Sequence, residues 1–212
     1  MTDKAGEIEA LRLEAAHCRA CPLWRNATQT VFGEGPADAD LVFVGEQPGD
    51  REDRAGHPFV GPAGLLLDKA LVEAGVDRKR AYVTNAVKHF KFEPRGKLRL
   101  HKKPNAAEIS ACKRWLFSEI DVLQPRLIVA LGATAAQSLA GKPVPIVANR
   151  GATLALANGL IVFVTVHPSS LLRVPDRADK ERAYAEFVKD LRSVAALAAK
   201  APGKGPPPAT SP

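Results

Sequence analysis

Residues 39–50, ADLVFVGEQPGD, decide how the chain is read. Leu41-Val42-Phe43-Val44 is apolar without alternation, the pattern of a strand buried on both faces. Gly45-Glu46-Gln47-Pro48-Gly49-Asp50 then forms either a plain structural turn or a tight loop whose backbone can approach a ligand closely. Three further runs repeat the apolar half: RAYVTNAV (80–87), RLIVALG (126–132) and LIVFVTV (160–166). Helical spacing separates them at about 62–75, 106–123 and 133–140, with another helix before them at 5–17 and a last one at about 177–199. Strands alternating with helices predict an α/β fold, a three-layer α/β/α sandwich around a four-stranded parallel sheet. Residues 1–199 make one domain, and 200–212, ending in APGKGPPPATSP, read as a disordered Pro/Gly-rich tail.

Such sheets bind ligands at the carboxyl ends of their strands. Here those ends read GEQPGD (45–50), TNAVKH (84–89), GATA (132–135) and HPSS (167–170), most of them rich in polar groups. Phe59, in the Gly/Pro-rich GHPFVGPAG (56–64), is either a core residue or a stacking surface for a flat ligand. Asn85 is either a strand-end cap or a paired donor and acceptor of the kind that matches the O4 and N3–H edge of uracil. His167 is either satisfied by a nearby carbonyl or a donor to charge on a leaving group. The stretch GKLRLHKKP (96–104) embeds His101 among Lys97, Arg99, Lys102 and Lys103, a solvated basic surface or a phosphate contact.

Lys and Arg exceed Asp and Glu by 30 to 23, giving a charge of +7 and a pI near 9.5, which favours an anionic partner, nucleic acid first. No apolar run is long enough to span a membrane and the first residues lack a signal-peptide core, so a cytosolic protein is expected. Three cysteines make a poor disulfide framework, and Cys18-Arg-Ala-Cys21 suggests metal or redox chemistry. With Cys112 and His89 as further ligands the spacing admits zinc or an iron–sulfur cluster equally.

CRACPLW, VFGEGP, GEQPGDRED, GHPFVGPAG, YVTNAVKHFK, LIVALGATAA and VHPSSLLR, in order from Cys18 to Arg173, closely resemble the iron–sulfur uracil-DNA glycosylases of family 4. GEQPG, His89 where ordinary family 4 members have cysteine, and the basic loop ending in His101 resemble the uracil-DNA glycosylase X type within that family. The loop pattern K-R-R-I-H becomes Lys97-Leu98-Arg99-Leu100-His101 here, with Leu98 in place of an arginine. The resemblance implies a [4Fe–4S] cluster on Cys18, Cys21, His89 and Cys112, serving as a structural clamp. It implies uracil excision from DNA, single-stranded as well as duplex, by a monomer. Glu46, His101 and His167 would be catalytic, and Gly45, Gln47, Asp50, Phe59 and Asn85 would hold uracil. Lys97, Arg99, Lys102, Ser169 and Arg173 would hold the DNA backbone or the loop. His101 would attack the deoxyribose C1′ itself and leave a lasting protein–DNA adduct, its imidazole kept neutral by the cations around it. A conventional multiple-turnover glycosylase is the alternative, and a non-catalytic DNA-binding module with a metal staple is a third reading.

Overall fold

The computed structural model describes residues 3–200, so the expected tail lies outside the described residues apart from Lys200, which closes a helix. In chain order the elements are α1 (Lys4–Ala16), β1 (Leu41–Gly45), α2 (Asp50–Ala55), α3 (Pro62–Glu73), β2 (Ala81–Asn85), β3 (Phe92–Arg95), β4 (Leu98–His101) and α4 (Ala106–Leu123). There follow β5 (Leu127–Leu131), α5 (Ala133–Ala140), α6 (Ile146–Asn149), β6 (Thr153–Ala155), β7 (Ile161–Thr165), α7 (Pro168–Leu172) and α8 (Arg177–Lys200). No helix among the described residues is long and apolar enough to cross a membrane.

The expected strands form a parallel sheet in the order β2-β1-β5-β7, and the short β6 adds an antiparallel edge beside β7. The sheet therefore has five strands rather than four; β6 is only Thr153–Ala155, too short to leave a pattern in sequence. Period-two geometry divides the core. Val42, Val44, Tyr82, Ile128, Ala130, Val162 and Val164 face the side covered by α1, α4 and α5. Leu41, Phe43, Val83, Val129, Leu131 and Phe163 face α3, α7 and α8. This gives the three-layer α/β/α sandwich.

The chain passes from β1 to β2 on one side and later returns to β5 on the other. The carboxyl ends of β1 and β5 therefore flank the point where strand order reverses, the crevice in which open α/β sheets hold ligands. The basic run is not a loop. β3 and β4 pair with each other as an antiparallel hairpin, register Phe92↔His101 and Arg95↔Leu98, separate from the main sheet. The alternate leucines are the signature of β4, and Leu98 and Leu100 occupy its exposed face.

Candidate active site

At the strand-order reversal Glu46 extends from the end of β1. One carboxylate oxygen stands 3.3 Å from His101 Nε2 and the other accepts a hydrogen bond from the Thr134 hydroxyl at the start of α5. Burial works to raise the Glu46 pKa, but the hydrogen bonds from His101 and Thr134 and the field of His101 and His167 more than reverse it, so the carboxyl lies below its ordinary value.

Gln47 and Arg99 hold the hairpin that brings His101 here. Gln47 donates through Nε2 to Lys91 O (3.1 Å) and Lys102 O (3.0 Å) and accepts from Lys91 N (3.1 Å), tying both feet of the hairpin together. Arg99 bonds Asp50 Oδ1 at 2.5 Å and Asp53 Oδ2 at 2.6 Å, while its guanidinium lies 5.0 Å from the centre of the Phe92 ring. Asp53, fully buried, also accepts from Thr28 N at 3.0 Å. Lys102 N donates to Lys91 O at 3.0 Å. On β4 the alternation then points Arg99 and His101 inward together.

These contacts correct three expectations. Gln47, expected to hold uracil, spends its amide on the hairpin backbone instead. Asp50 is taken by Arg99 and by Arg54 at 3.0 Å rather than left for a base. His101 has a carboxylate rather than a cation as its charged partner: Glu46 lies 3.3 Å from Nε2, while Arg99 is paired to Asp50 and Asp53 and Lys102 bonds Glu93 at 2.8 Å.

The opposite wall is built from β2, β7 and the loop before α3. Gly45 and Asn85 are paired in the sheet register, and a Cβ on Gly45 would come within 2.4 Å of Asn85 Oδ1 and 2.8 Å of Phe59 Cζ. Only glycine leaves room for both of those side chains over the strand end. Phe59 has φ of 59°, a left-handed conformation that a bulky residue enters at a cost. The loop is held there by close packing: a Cβ on Gly64 would lie 1.6 Å from Phe59 O. Glu52 braces it, accepting from Gly61 N at 2.7 Å and Gly49 N at 3.1 Å. The Phe59 ring stacks beside His167 with centroids 6.3 Å apart.

His167 caps α7. Its Nδ1 accepts from Ser169 N at 3.2 Å and lies 2.8 Å from Ser169 Oγ. A backbone N–H can only donate, so Nδ1 bears no proton and the neutral ring presents Nε2–H. Desolvation pushes the His167 pKa down to about 4, which keeps the ring neutral in ordinary buffers. Arg173 stands 3.4 Å from Ser169 Oγ, and Lys97 is exposed at the hairpin turn.

Behind this site lie the four expected metal ligands. Cys18 follows α1, Cys21 precedes a tight turn at Pro22–Arg25, Cys112 is on α4 and His89 follows β2. None is in a disulfide. The Cys112 thiol donates a hydrogen bond to Cys21, which lowers the Cys21 pKa to about 6 and raises that of Cys112, and Trp115 Nε1 donates to Cys18 Sγ at 3.1 Å. Thr30 Oγ1 donates to Ala15 O at 3.0 Å, so at 2.9 Å it accepts from His89 Nε2–H. His89 Nδ1 then carries a bare lone pair, buried and without a partner, beside a cavity of about 170 Å³ that Cys18 also lines. A ligating histidine has this arrangement, one nitrogen held by an acceptor and the other free for metal. Among the described residues no three Cys, His, Asp or Glu side chains converge tightly enough to hold one ion. Ligands of a cubane each bind a different iron and so stand wider apart. The donor set fits a cluster.

Sequence reasoning missed Thr134, Glu52 and Asp53. Thr134 lies inside the strand-end segment GATA, and both carboxylates lie inside GEQPGDRED, so position was the available signal.

The family model of the uracil DNA glycosylase superfamily matches residues 32–192. The chain is 44% identical over 167 residues to a type-4 uracil-DNA glycosylase of Thermotoga maritima, covering 78% of this chain and 83% of that protein. It is 35% identical over 181 residues to one of Sulfurisphaera tokodaii (80% and 77% covered) and 34% over 196 residues to one of Pyrobaculum aerophilum (87% and 91%).

Proposed function

The chain belongs to the uracil DNA glycosylase superfamily, alongside its type-4 members, and on that premise we propose that it releases uracil from DNA and captures the exposed deoxyribose on His101. Uracil must leave the base stack to enter the crevice. Phe59 stacks on it and Asn85 reads its edge, both reaching over the space that Gly45 leaves free of a side chain. The C1′–N1 bond breaks with its electron pair on uracil, and the Nε2–H of neutral His167 stabilises the charge arriving at O2. The sugar becomes oxocarbenium-like, and the ionised Glu46 faces it.

His101 then forms the new bond. Nε2 must offer C1′ a lone pair, so the proton it shares with Glu46 passes to the carboxylate while the other ring proton stays on Nδ1. Uracil takes up that proton and leaves neutral. The positive charge ends on the substituted imidazole, which has no easy second leaving step, so each molecule turns over once. Asp50 and Gln47 act as hairpin anchors in this reading. Lys97, Lys102, Ser169 and Arg173 meet the DNA backbone without reading sequence. Cys18, Cys21, Cys112 and His89 hold a [4Fe–4S] cluster, which when bound supplies a clamp joining α1, α4 and the end of β2.

The observation that supports capture is the placement of His101 Nε2 3.3 Å from Glu46, on a hairpin locked by Arg99 and Gln47. A uracil-containing single-stranded oligonucleotide, incubated with protein and run on a denaturing gel, gives a shifted band. Peptide mass after digestion places the deoxyribose on residues 96–104. An abasic product without a shift means ordinary turnover, and neither product means a binder.

A further inference from the structure

Beneath Asn85, on the side of the sheet facing α4, lies a charged pair that the proposed chemistry does not use. Lys88 and Glu119 are both fully buried, with Nζ 2.5 Å from Oε2. The ammonium has three protons and three acceptors: Glu119 Oε2, Thr84 Oγ1 at 2.6 Å and the backbone carbonyl of Asn85 at 2.9 Å. The carboxylate is equally engaged. Its Oε1 accepts from Gly33 N at 2.9 Å and Tyr82 OH at 3.0 Å, and Thr84 Oγ1 lies 2.9 Å from Oε2.

Such a pair is a poor source of stability, because desolvating two ions offsets most of their attraction. Its location has another consequence. The chain leaves the sheet at Asn85: Ala86 N and Val87 N turn back to Gly45 O and Glu46 O, at 2.9 and 3.0 Å. Lys88 Nζ holds the carbonyl of Asn85 at that turn, and the peptide plane that follows Asn85 sets the direction of its Cα–Cβ bond. Resting on the glycosylase reading above, we propose that Lys88 and Glu119 are positioning residues that aim the Asn85 amide at the base. They act on the bond-breaking step and leave DNA binding alone.

The test is a double-mutant cycle under single-turnover conditions, with all proteins compared at equal metal content. Lys88→Met with Glu119→Gln removes both charges, leaves no unpaired ion and keeps an acceptor for Gly33 N and Tyr82 OH. Expected is a fall of about 10- to 100-fold in the maximal rate of uracil release, since about 1 Å of misplacement costs roughly 100-fold. The protein concentration giving half-maximal rate stays within about threefold, because phosphate contacts set it. In an Asn85→Ala background the same two changes cost less than about twofold, since residues acting through one another are not additive. A purely structural role would repeat its full cost there. Thr84→Val keeps both charges and the side-chain shape; it gives a smaller loss by the same route and replaces the neutral pair if that variant does not unfold cooperatively. Wild-type release rates in the variants, or an undiminished loss on Asn85→Ala, overturn the inference alone. Wild-type protein that releases no uracil overturns the glycosylase reading itself.

Discussion

Replacing Gly45 with alanine adds one methyl at the end of β1, and the structure says where it goes. The new Cβ would stand 2.4 Å from Asn85 Oδ1 and 2.8 Å from Phe59 Cζ, whereas ordinary contact begins near 3.4 Å. Phe59 has little room to retreat, since its backbone is already in a left-handed conformation with φ of 59° and is packed against Gly64. The amide therefore gives way, by about 1 Å. A displacement of that size at a reacting group costs roughly 100-fold in rate, equivalent to about 2.7 kcal/mol of barrier. Overpacking adds a stability loss of about 1–3 kcal/mol, or a Tm lower by roughly 2–10 °C for a domain of this size. Gly45 is not in a left-handed conformation, so backbone strain does not enter. The assay is single-turnover release of uracil from an oligonucleotide with protein in excess, beside fluorescence anisotropy for DNA affinity and a thermal melt. Release should fall by two orders of magnitude while affinity stays within about threefold. A Gly45→Ala protein that releases uracil within threefold of wild type would refute the assignment of Asn85 and Phe59 as the walls of the base pocket.

Arg99→Gln frees the hairpin from Asp50 and Asp53 without touching the opposite wall, so adduct yield should fall at least about tenfold while uracil release changes less than about threefold; quantifying free uracil and shifted band from one reaction checks this. His167 has its folded pKa depressed to about 4 from an ordinary 6.5, so the unfolded chain takes up the proton first and stability falls as pH drops through that window. Thermal melts at pH 7 and pH 5 should show wild type losing more than His167→Asn, and parallel losses would remove the cause. Purified protein should contain iron and acid-labile sulfide in equal amounts, Cys112→Ser should lower both and the Tm together, and stoichiometric zinc without sulfide would dismiss the cluster.

The parallel strands and long helices were legible because their cause is local: two-sided burial writes continuous Val/Ile/Leu runs, and helices at 106–123 and 133–140 begin and end where their apolar spacing does. β6 was illegible because its three residues are held by β7, not by their own pattern. In KLRLH the alternation was visible, but the density of charge suggested a loop; pairing with Phe92–Arg95 decides otherwise. The residues that gather at the strand ends could be named from position alone. What sequence could not give is which of them touch. Arg99 shares the face of His101 but is paired with Asp50 and Asp53, Lys102 is paired with Glu93, and the Glu46 that meets the imidazole arrives from a segment more than fifty residues earlier.

The hairpin bearing His101 shares no strand pairing with the main sheet. It is a plug seated in a socket: Arg99 and His101 are its pins, and Asp50, Asp53, Gln47 and Glu46 are the holes. Half of the device is therefore carried by the loop and helix that follow β1, more than forty residues upstream of the pins. Transplanting residues 92–101 alone onto another glycosylase of this fold would deliver an imidazole with nothing to seat it. The transferable unit is both parts together, and a search for proteins with this hairpin has to ask for the socket as well as the plug.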